Sequence, residues 1–111
     1  MDILVNKNVH KDEVLLYFMK NDGSAFCMLN YYKQEKHIMF LSNLNVNIES
    51  RGKGFGSCMM NNAILYAKSS GCKYLYLEVI HESSWVFDWY ERLGFKLYRK
   101  DGDSCYMFKE L

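Results

Sequence analysis

Apolar and polar positions cut this chain into short runs with two different periods. Val14-Leu15-Leu16-Tyr17-Phe18-Met19 is apolar throughout, and Asn21-Asp22-Gly23-Ser24 after it is a turn-forming cluster. Ala25 to Tyr32 is a second run, Lys33-Gln34-Glu35-Lys36 a polar reversal, and His37 to Val46 a third run that ends in Leu44-Asn45-Val46. Residues 13–47 therefore read as a β-meander. Glu13 to Lys20 also has the composition of a short helix, but the hairpin-like turn and the second run close behind it favour a strand. Ile3-Leu4-Val5 is expected as a short edge strand.

The period then lengthens. Met59, Ala63, Tyr66 and Ala67, flanked by Met60 and Ile64, recur at three- and four-residue spacing, which predicts a helix from Ser57 to Ser70 with Gly71 as its C-terminal cap. Tyr74 to Ile80 is a strand, apolar on both faces except at Glu78, and is expected to be interior and covered on both sides. Ser83 or Ser84 caps a second helix, Trp85 to Leu93, whose apolar stripe is Val86, Trp89, Tyr90 and Leu93, with Gly94 ending it. Phe95 to Arg99 and Cys105 to Phe108 flank Lys100-Asp101-Gly102-Asp103-Ser104 as a closing hairpin with a tight turn. The order is meander, helix, strand, helix, hairpin, an α/β chain. No linker or internal repeat interrupts it, so residues 1–111 are expected to form one domain.

Composition narrows the function classes. The chain has 111 residues, of which 50% are apolar and 16% aromatic, enough for one small core. Its net charge is +1 and no basic stripe stands out, so a nucleic-acid partner is not expected. No apolar run reaches membrane-spanning length, and Met1 to Lys7 lacks the pattern of a leader, so a soluble cytoplasmic protein is expected. Cys27, Cys58, Cys72 and Cys105 form no C-x-x-C pair, and His10, His37 and His81 form no helical ligand pair. Buried or half-buried thiols and no metal site are expected. Proline is absent, so glycine, asparagine, aspartate and serine must set the element ends.

The chemistry-bearing segment is Ser50-Arg51-Gly52-Lys53-Gly54-Phe55-Gly56-Ser57. Three alternating glycines and two cations stand where an apolar-alternating run gives way to a helix. Glycine lets main chain approach an anion, and a helix N-terminus directs free N–H groups at it, so a bound phosphate is expected here. A Walker A loop would need Gly-Lys-Ser/Thr, and Gly56-Ser57-Cys58 does not supply it. A dinucleotide fold would explain Gly52-x-Gly54 and place Glu78 near a ribose, but it opens with a βαβ unit rather than a meander. A plain surface loop leaves the clustering of glycines and cations at a strand–helix junction unexplained.

Leu44-x-Val46, then Arg51-Gly52-Lys53-Gly54-Phe55-Gly56 and an amphipathic helix, resembles the acetyl-CoA motif of the GNAT family of N-acetyltransferases. Leu77-Glu78-Val79, followed by Tyr90-Glu91-Arg92-Leu93-Gly94-Phe95, resembles that family's later strand-then-helix segment. The resemblance implies a mixed, mostly antiparallel GNAT-like sheet. It departs from the family in two places. Asn6 to Asp12 has no room for the two helices that usually follow the first strand, and Ser83 stands where the family has asparagine seven residues before the tyrosine.

The resemblance implies an acetyl-CoA-dependent N-acetyltransferase acting on a primary amine of a small molecule, peptide or protein. The pyrophosphate falls to the backbone of Arg51, Gly52, Lys53, Gly54, Phe55 and Gly56. The pantetheine arm falls beside Leu44, Asn45 and Val46, with the Val46 N–H a source of an oxyanion donor worth about 3 kcal/mol. Glu78 is the candidate base: it is the only charge in its strand, and burial would raise its pKa toward neutrality. A structural carboxylate is the competing role. Tyr90 is the candidate acid, protonated at pH 7, though it also lies on the core stripe of its helix. The twelve-residue spacing of Glu78 and Tyr90 is similar to the base–acid pair of ribosomal-protein N-terminal alanine acetyltransferases. His81 and Glu82 are alternative bases. Asp101 and Asp103 could attract a cationic amine, and Tyr31, Tyr32, Trp85 and Trp89 could line a groove. The missing helices leave that groove open or covered by a partner subunit, such as a second copy in a homodimer. A catalytically degenerate acyl-CoA-binding module and a dinucleotide-binding fragment are the alternatives.

Overall fold

The alternating runs become strands because each has one face that must leave water. The computed structural model describes residues 3–111; Met1 and Asp2, at the head of the segment read for a leader, lie outside them. Four antiparallel strands come first: β1 (Ile3–Val9), β2 (Glu13–Lys20), β3 (Ala25–Tyr32) and β4 (Ile38–Val46). Helix α1 (Phe55–Ser69) then carries the chain to β5 (Tyr74–Ile80), which pairs parallel to β4. A parallel partner needs such a crossover, and α1 is long enough to supply it. Helix α2 (Trp85–Arg92) leads to β6 (Lys96–Asp101) and β7 (Ser104–Glu110), and β7 inserts beside β5. The result is one seven-stranded sheet in the order β1-β2-β3-β4-β5-β7-β6, mixed only at β4–β5.

The meander, both helices and the closing hairpin stand where the periodicity puts them, and β2 is a strand. The edge strand β1 is longer than the three residues expected, and it turns straight into β2, with the His10 N–H donating to the Glu13 carbonyl at 2.9 Å. No helix intervenes there. Helix α1 begins at Phe55, two residues before the expected start. Ser84, not Ser83, caps α2, its Oγ accepting from the Phe87 N–H at 3.3 Å.

Register puts all the large core residues on one face of the sheet. Leu16, Leu29 and Leu41 stand in line across β2, β3 and β4. Met39 opposes Leu75, and Leu77 and Val79 oppose Met107 and Cys105. Met59, Met60, Ala63 and Ala67 of α1 and Phe87 and Tyr90 of α2 bury into the same cluster. Each fully buried Leu, Met or Phe contributes about 1.5–3 kcal/mol. Cys27, Cys72 and Cys105 are buried in or beside this core, and burial pushes the Cys27 thiol up to about 12.

Both helices thus lie on one side, and the molecule is only 21 Å thick along its short axis. That is the depth of a sheet plus one helix layer, each about 10 Å. The expectation that β5 is covered on both faces is corrected: Leu75, Leu77 and Val79 are buried, while Glu78 and Ile80, on the other face, are exposed. The other face of β5 carries Tyr74, Tyr76, Glu78 and Ile80, and tyrosine rings tolerate half-exposure with the hydroxyl in water. Phe87 is a core residue of α2 that the expected stripe omitted.

Candidate active site

The only parallel junction in the sheet is also where it opens. Strands β4 and β5 pair at Ile38–Tyr74, Met39–Leu75 and Phe40–Tyr76 and no further. Just beyond, Ser42 is an extra residue on β4, because Met28 opposes Asn43 while Leu29 opposes Leu41. Such a bulge bends its strand and increases its twist, which turns β4 away from β5. The gap is a hollow of about 310 Å³ lined by Leu41 to Leu44, Leu77 to Ile80, Ser84, Val86 and Tyr90.

Two further hollows meet this splay from opposite sides of the sheet. On the helix side, a hollow of about 520 Å³ is lined by Leu44, Asn45, Val46, the glycine loop, Trp85, Val86, Trp89 and Tyr90. It shares Leu44, Val86 and Tyr90 with the splay. On the open face, a hollow of about 510 Å³ shares Leu41, Ser42, Leu77, Glu78 and Ile80 with it. The three hollows therefore adjoin through shared walls, from the glycine loop by way of the splay to the open face.

The loop wall is main chain held in left-handed geometry. Gly52 has φ 82° and Gly54 φ 81°, values that side chains resist, although a Cβ at either would touch nothing. The glycines are thus required by backbone conformation, not by crowding. Gly54 is the N-cap of α1, its carbonyl accepting from the Cys58 N–H at 3.0 Å, and it has no side chain to cap the turn. The N–H groups of Phe55, Gly56 and Ser57 consequently have no intrahelical partner, and no acid stands in that first turn. A Cβ on Gly56 would come within 3.7 Å of Val46 and 3.9 Å of Trp89, ordinary contact distances. The Arg51 Nε donates to the Val46 carbonyl at 3.0 Å, tying the loop to the end of β4.

Tyr90 stands where two of the hollows meet, buried to 8% exposure, its ring edge-on to Phe95 at 5.6 Å. Burial pushes its phenol up to about 12. Glu78 stands in the splay and opens onto the far face. The burial expected for Glu78 is corrected: its side chain is exposed, because it points from the helix-free face. Its Oε2 accepts from the Ser104 hydroxyl at 2.5 Å, on the strand directly opposite.

The structure brings Glu78, Tyr90 and Leu44 to the splay, and Asn45, Val46, Arg51, Gly52, Gly54, Phe55 and Gly56 to the loop hollow with Tyr90. Ser42, Asn43 and Leu44 line the splay with Glu78, while Val46 lines the loop hollow. Lys53 lies exposed on the loop. His81, Glu82, Asp101 and Asp103 line none of the three hollows. Glu82 pairs with Lys100, Asp101 lies 3.8 Å from Arg99, and His81, at φ 68°, lies 3.7 Å from Asp103. Of the four aromatics expected at a groove, Trp85 and Trp89 line the loop hollow, and Tyr31 packs against the core. Tyr32 lies on the open face against Phe40. The sequence reading missed Ser42 and the rings of Tyr76, Tyr98 and Tyr106. The signal for the rings was the alternation of tyrosine in β5, which was read as a buried pattern.

A seven-stranded sheet opened at its single parallel junction, with a glycine loop before the helix on one side, defines an acyltransferase-like fold. The chain belongs to the acetyltransferase (GNAT) family, whose family model matches residues 2–95. It is 30% identical over 76 residues to an uncharacterized N-acetyltransferase of Methanocaldococcus jannaschii, an alignment covering 67% of this chain and 34% of that protein. The chain thus spans about a third of the length of that curated relative. Among solved structures, the PaiA N-acetyltransferase of Thermoplasma acidophilum, in complex with coenzyme A, superposes with a TM-score of 0.75 at 24% identity, over 90% of this chain and 62% of that one. A GNAT family acetyltransferase of Elizabethkingia anophelis with acetyl-CoA bound superposes with a TM-score of 0.74 at 14% identity, over 98% of both chains. At these identities the likeness establishes the fold.

Proposed function

We propose that this protein is an N-acetyltransferase that moves an acetyl group from acetyl-CoA to a primary amine. The observation that carries the reading is the row of adjoining hollows that place the glycine loop, Tyr90 and Glu78 along the β4–β5 splay. Acetyl-CoA, when bound, supplies an acetyl group activated as a thioester.

The residues present fit it. The free N–H groups of Phe55, Gly56 and Ser57, beside the two left-handed glycines, suit a pyrophosphate. Arg51 and Lys53 add a screened attraction at the exposed rim. Beyond Phe40, the side of β4 that faces β5 has no partner strand. Leu44, Asn45 and Val46 therefore offer main-chain groups to an amide-bearing arm. Asn43 and Leu44 line the splay and are a main-chain source of a donor for negative charge developing there.

Glu78 takes the proton that the ammonium must lose before its nitrogen can attack. Exposure suits this role, since the proton can pass on to water. Ser104 holds the carboxylate in place. Tyr90 stays protonated at pH 7 and donates a hydrogen bond to the sulfur as that atom takes on charge. An ordinary thiol titrates near ~8.5, well below the phenol at about 12. The phenol therefore stabilises the sulfur as the C–S bond breaks without surrendering its proton. The second proton of the attacking nitrogen leaves by way of Glu78 to water, and the thiolate takes its proton from solvent.

The test is release of free thiol from acetyl-CoA in the presence of amines, peptides and polyamines. Release with at least one acceptor is expected, and none across the panel with folded protein overturns the reading. Thermal shift separates the class beforehand. A ligand at about 100 times its Kd stabilises by about 2.7 kcal/mol. Acetyl-CoA should raise Tm and NAD should not; the reverse would identify a dinucleotide-binding fragment.

A further inference from the structure

The open face of the sheet is built from rings that the core does not use. An antiparallel face turned to water ordinarily carries polar residues. Here Phe40 of β4, Tyr76 of β5, Tyr98 of β6 and Tyr106 of β7 line the hollow of about 510 Å³ at the mouth of the splay. Tyr76 and Tyr98 meet nearly at right angles, 82°, with centroids 5.6 Å apart. Phe40 lies 5.9 Å from Tyr76 at 35°, and Tyr106 lies 6.4 Å from Tyr98. Floor and wall are therefore both aromatic, and Tyr98 is 52% exposed.

Two charged groups line this hollow, one of each sign. Glu78 is at the inner end, where the hollow opens into the splay, and among the described residues no cation pairs with it. Arg99 is the cation, its guanidinium over the Tyr106 ring at 4.6 Å. A ligand with one ammonium can place it at Glu78 and lay its body on the rings. A ligand with several would bring the next one toward Arg99.

Resting on the acetyltransferase reading above, we infer that the acceptor is a monoamine carried on an aromatic body, bound with its nitrogen at Glu78 and its ring among Tyr76, Tyr98 and Tyr106. A polyamine or an extended peptide N-terminus fits the hollow less well. The volume lies within the range of about 300–1,000 Å³ typical of small-molecule sites. Attraction of the ammonium to the ring faces is common to all amines, and ring-on-ring contact is what favours the aromatic one.

The test compares kcat/KM for phenethylamine, n-butylamine, spermidine and an alanine-headed peptide, with acetyl-CoA saturating. Phenethylamine should exceed each of the others by about tenfold or more, the discrimination a well-formed apolar pocket provides. Tyr98→Ala should raise the phenethylamine KM by about tenfold, leave kcat and the acetyl-CoA KM in place, and barely affect n-butylamine. Arg99→Ala should improve spermidine relative to phenethylamine. Preference for spermidine or the peptide, or an equal loss for all amines in Tyr98→Ala, overturns the inference and leaves acetyl transfer standing. Absence of both thiol release and an acetyl-CoA thermal shift overturns the parent reading and this one with it.

Discussion

At the loop end of these hollows the wall is main chain. Gly52 and Gly54 hold φ near 80°, and the free N–H groups of α1 begin immediately after them. At the open-face end the wall is side chain, four rings drawn from four strands with Glu78 at the throat. A backbone site is specified by a few adjacent residues and reads one chemical group, an anion. A side-chain site is specified by residues far apart in sequence and reads the shape and charge of a whole ligand. The first suits the phosphates of a cosubstrate, and the second is where the proposed acceptor would lie.

The comparison can be broken most sharply at its midpoint. On the proposed mechanism Tyr90→Phe removes the donor to the leaving sulfur, and a drop of about 10²–10³-fold in kcat is expected. The acetyl-CoA affinity and Tm should hold, because the ring stays packed. Unchanged turnover would leave Tyr90 a core residue alone. A wild-type protein that binds acetyl-CoA yet turns over no amine would be the degenerate module. Glu78→Gln should cost about 10²-fold in kcat near neutral pH, shrinking as the pH rises toward the ~10 at which an alkylamine sheds its own proton. A deficit that stays constant with pH would make Glu78 a structural partner of Ser104.

The loop end predicts an effect on stability as well as on binding. Gly54→Ala forces a side chain into left-handed geometry, so about 1–2 kcal/mol of stability and some acetyl-CoA affinity should be lost together. Gly56→Ala meets only ordinary contacts, so the fold should hold while the loop hollow narrows. Equal destabilisation by the two would contradict the conformational account of the loop. A pH profile of kcat should show no falling limb from Tyr90 below about pH 11, because burial holds the neutral phenol up to about 12. The smallest effect expected is at Lys53. Lys53→Ala should weaken acetyl-CoA binding only a few-fold, and less in high salt, since the side chain is exposed.

Much of this was legible before any coordinates. Strand and helix periods placed the inner strands and both α-helices within a few residues, because each carries its own buried stripe, whereas β1 and β6 lie exposed and the short turn Ile48–Ser50 was not foreseen. The loop was legible because Gly52, Gly54 and the N-terminus of α1 are neighbours in the chain. Glu78 and Tyr90 were picked out by their sequence contexts, and the fold does bring both to the splay. Two readings failed together, from the same cause. Glu78 was expected to be buried and β5 to be covered twice. Both depended on which face of the sheet the helices take.

The sequence by itself determined the order of elements, the apolar face of the inner strands and helices, and the glycine loop at the head of α1, since these rest on residues a few positions apart. Tertiary structure alone decided that both helices share one face and that β4 parts from β5. It also decided that rings from β4, β5, β6 and β7 meet around Glu78. Alternation says that Tyr76 and Glu78 share a side of their strand, but only the packed sheet settles whether that side meets protein or water.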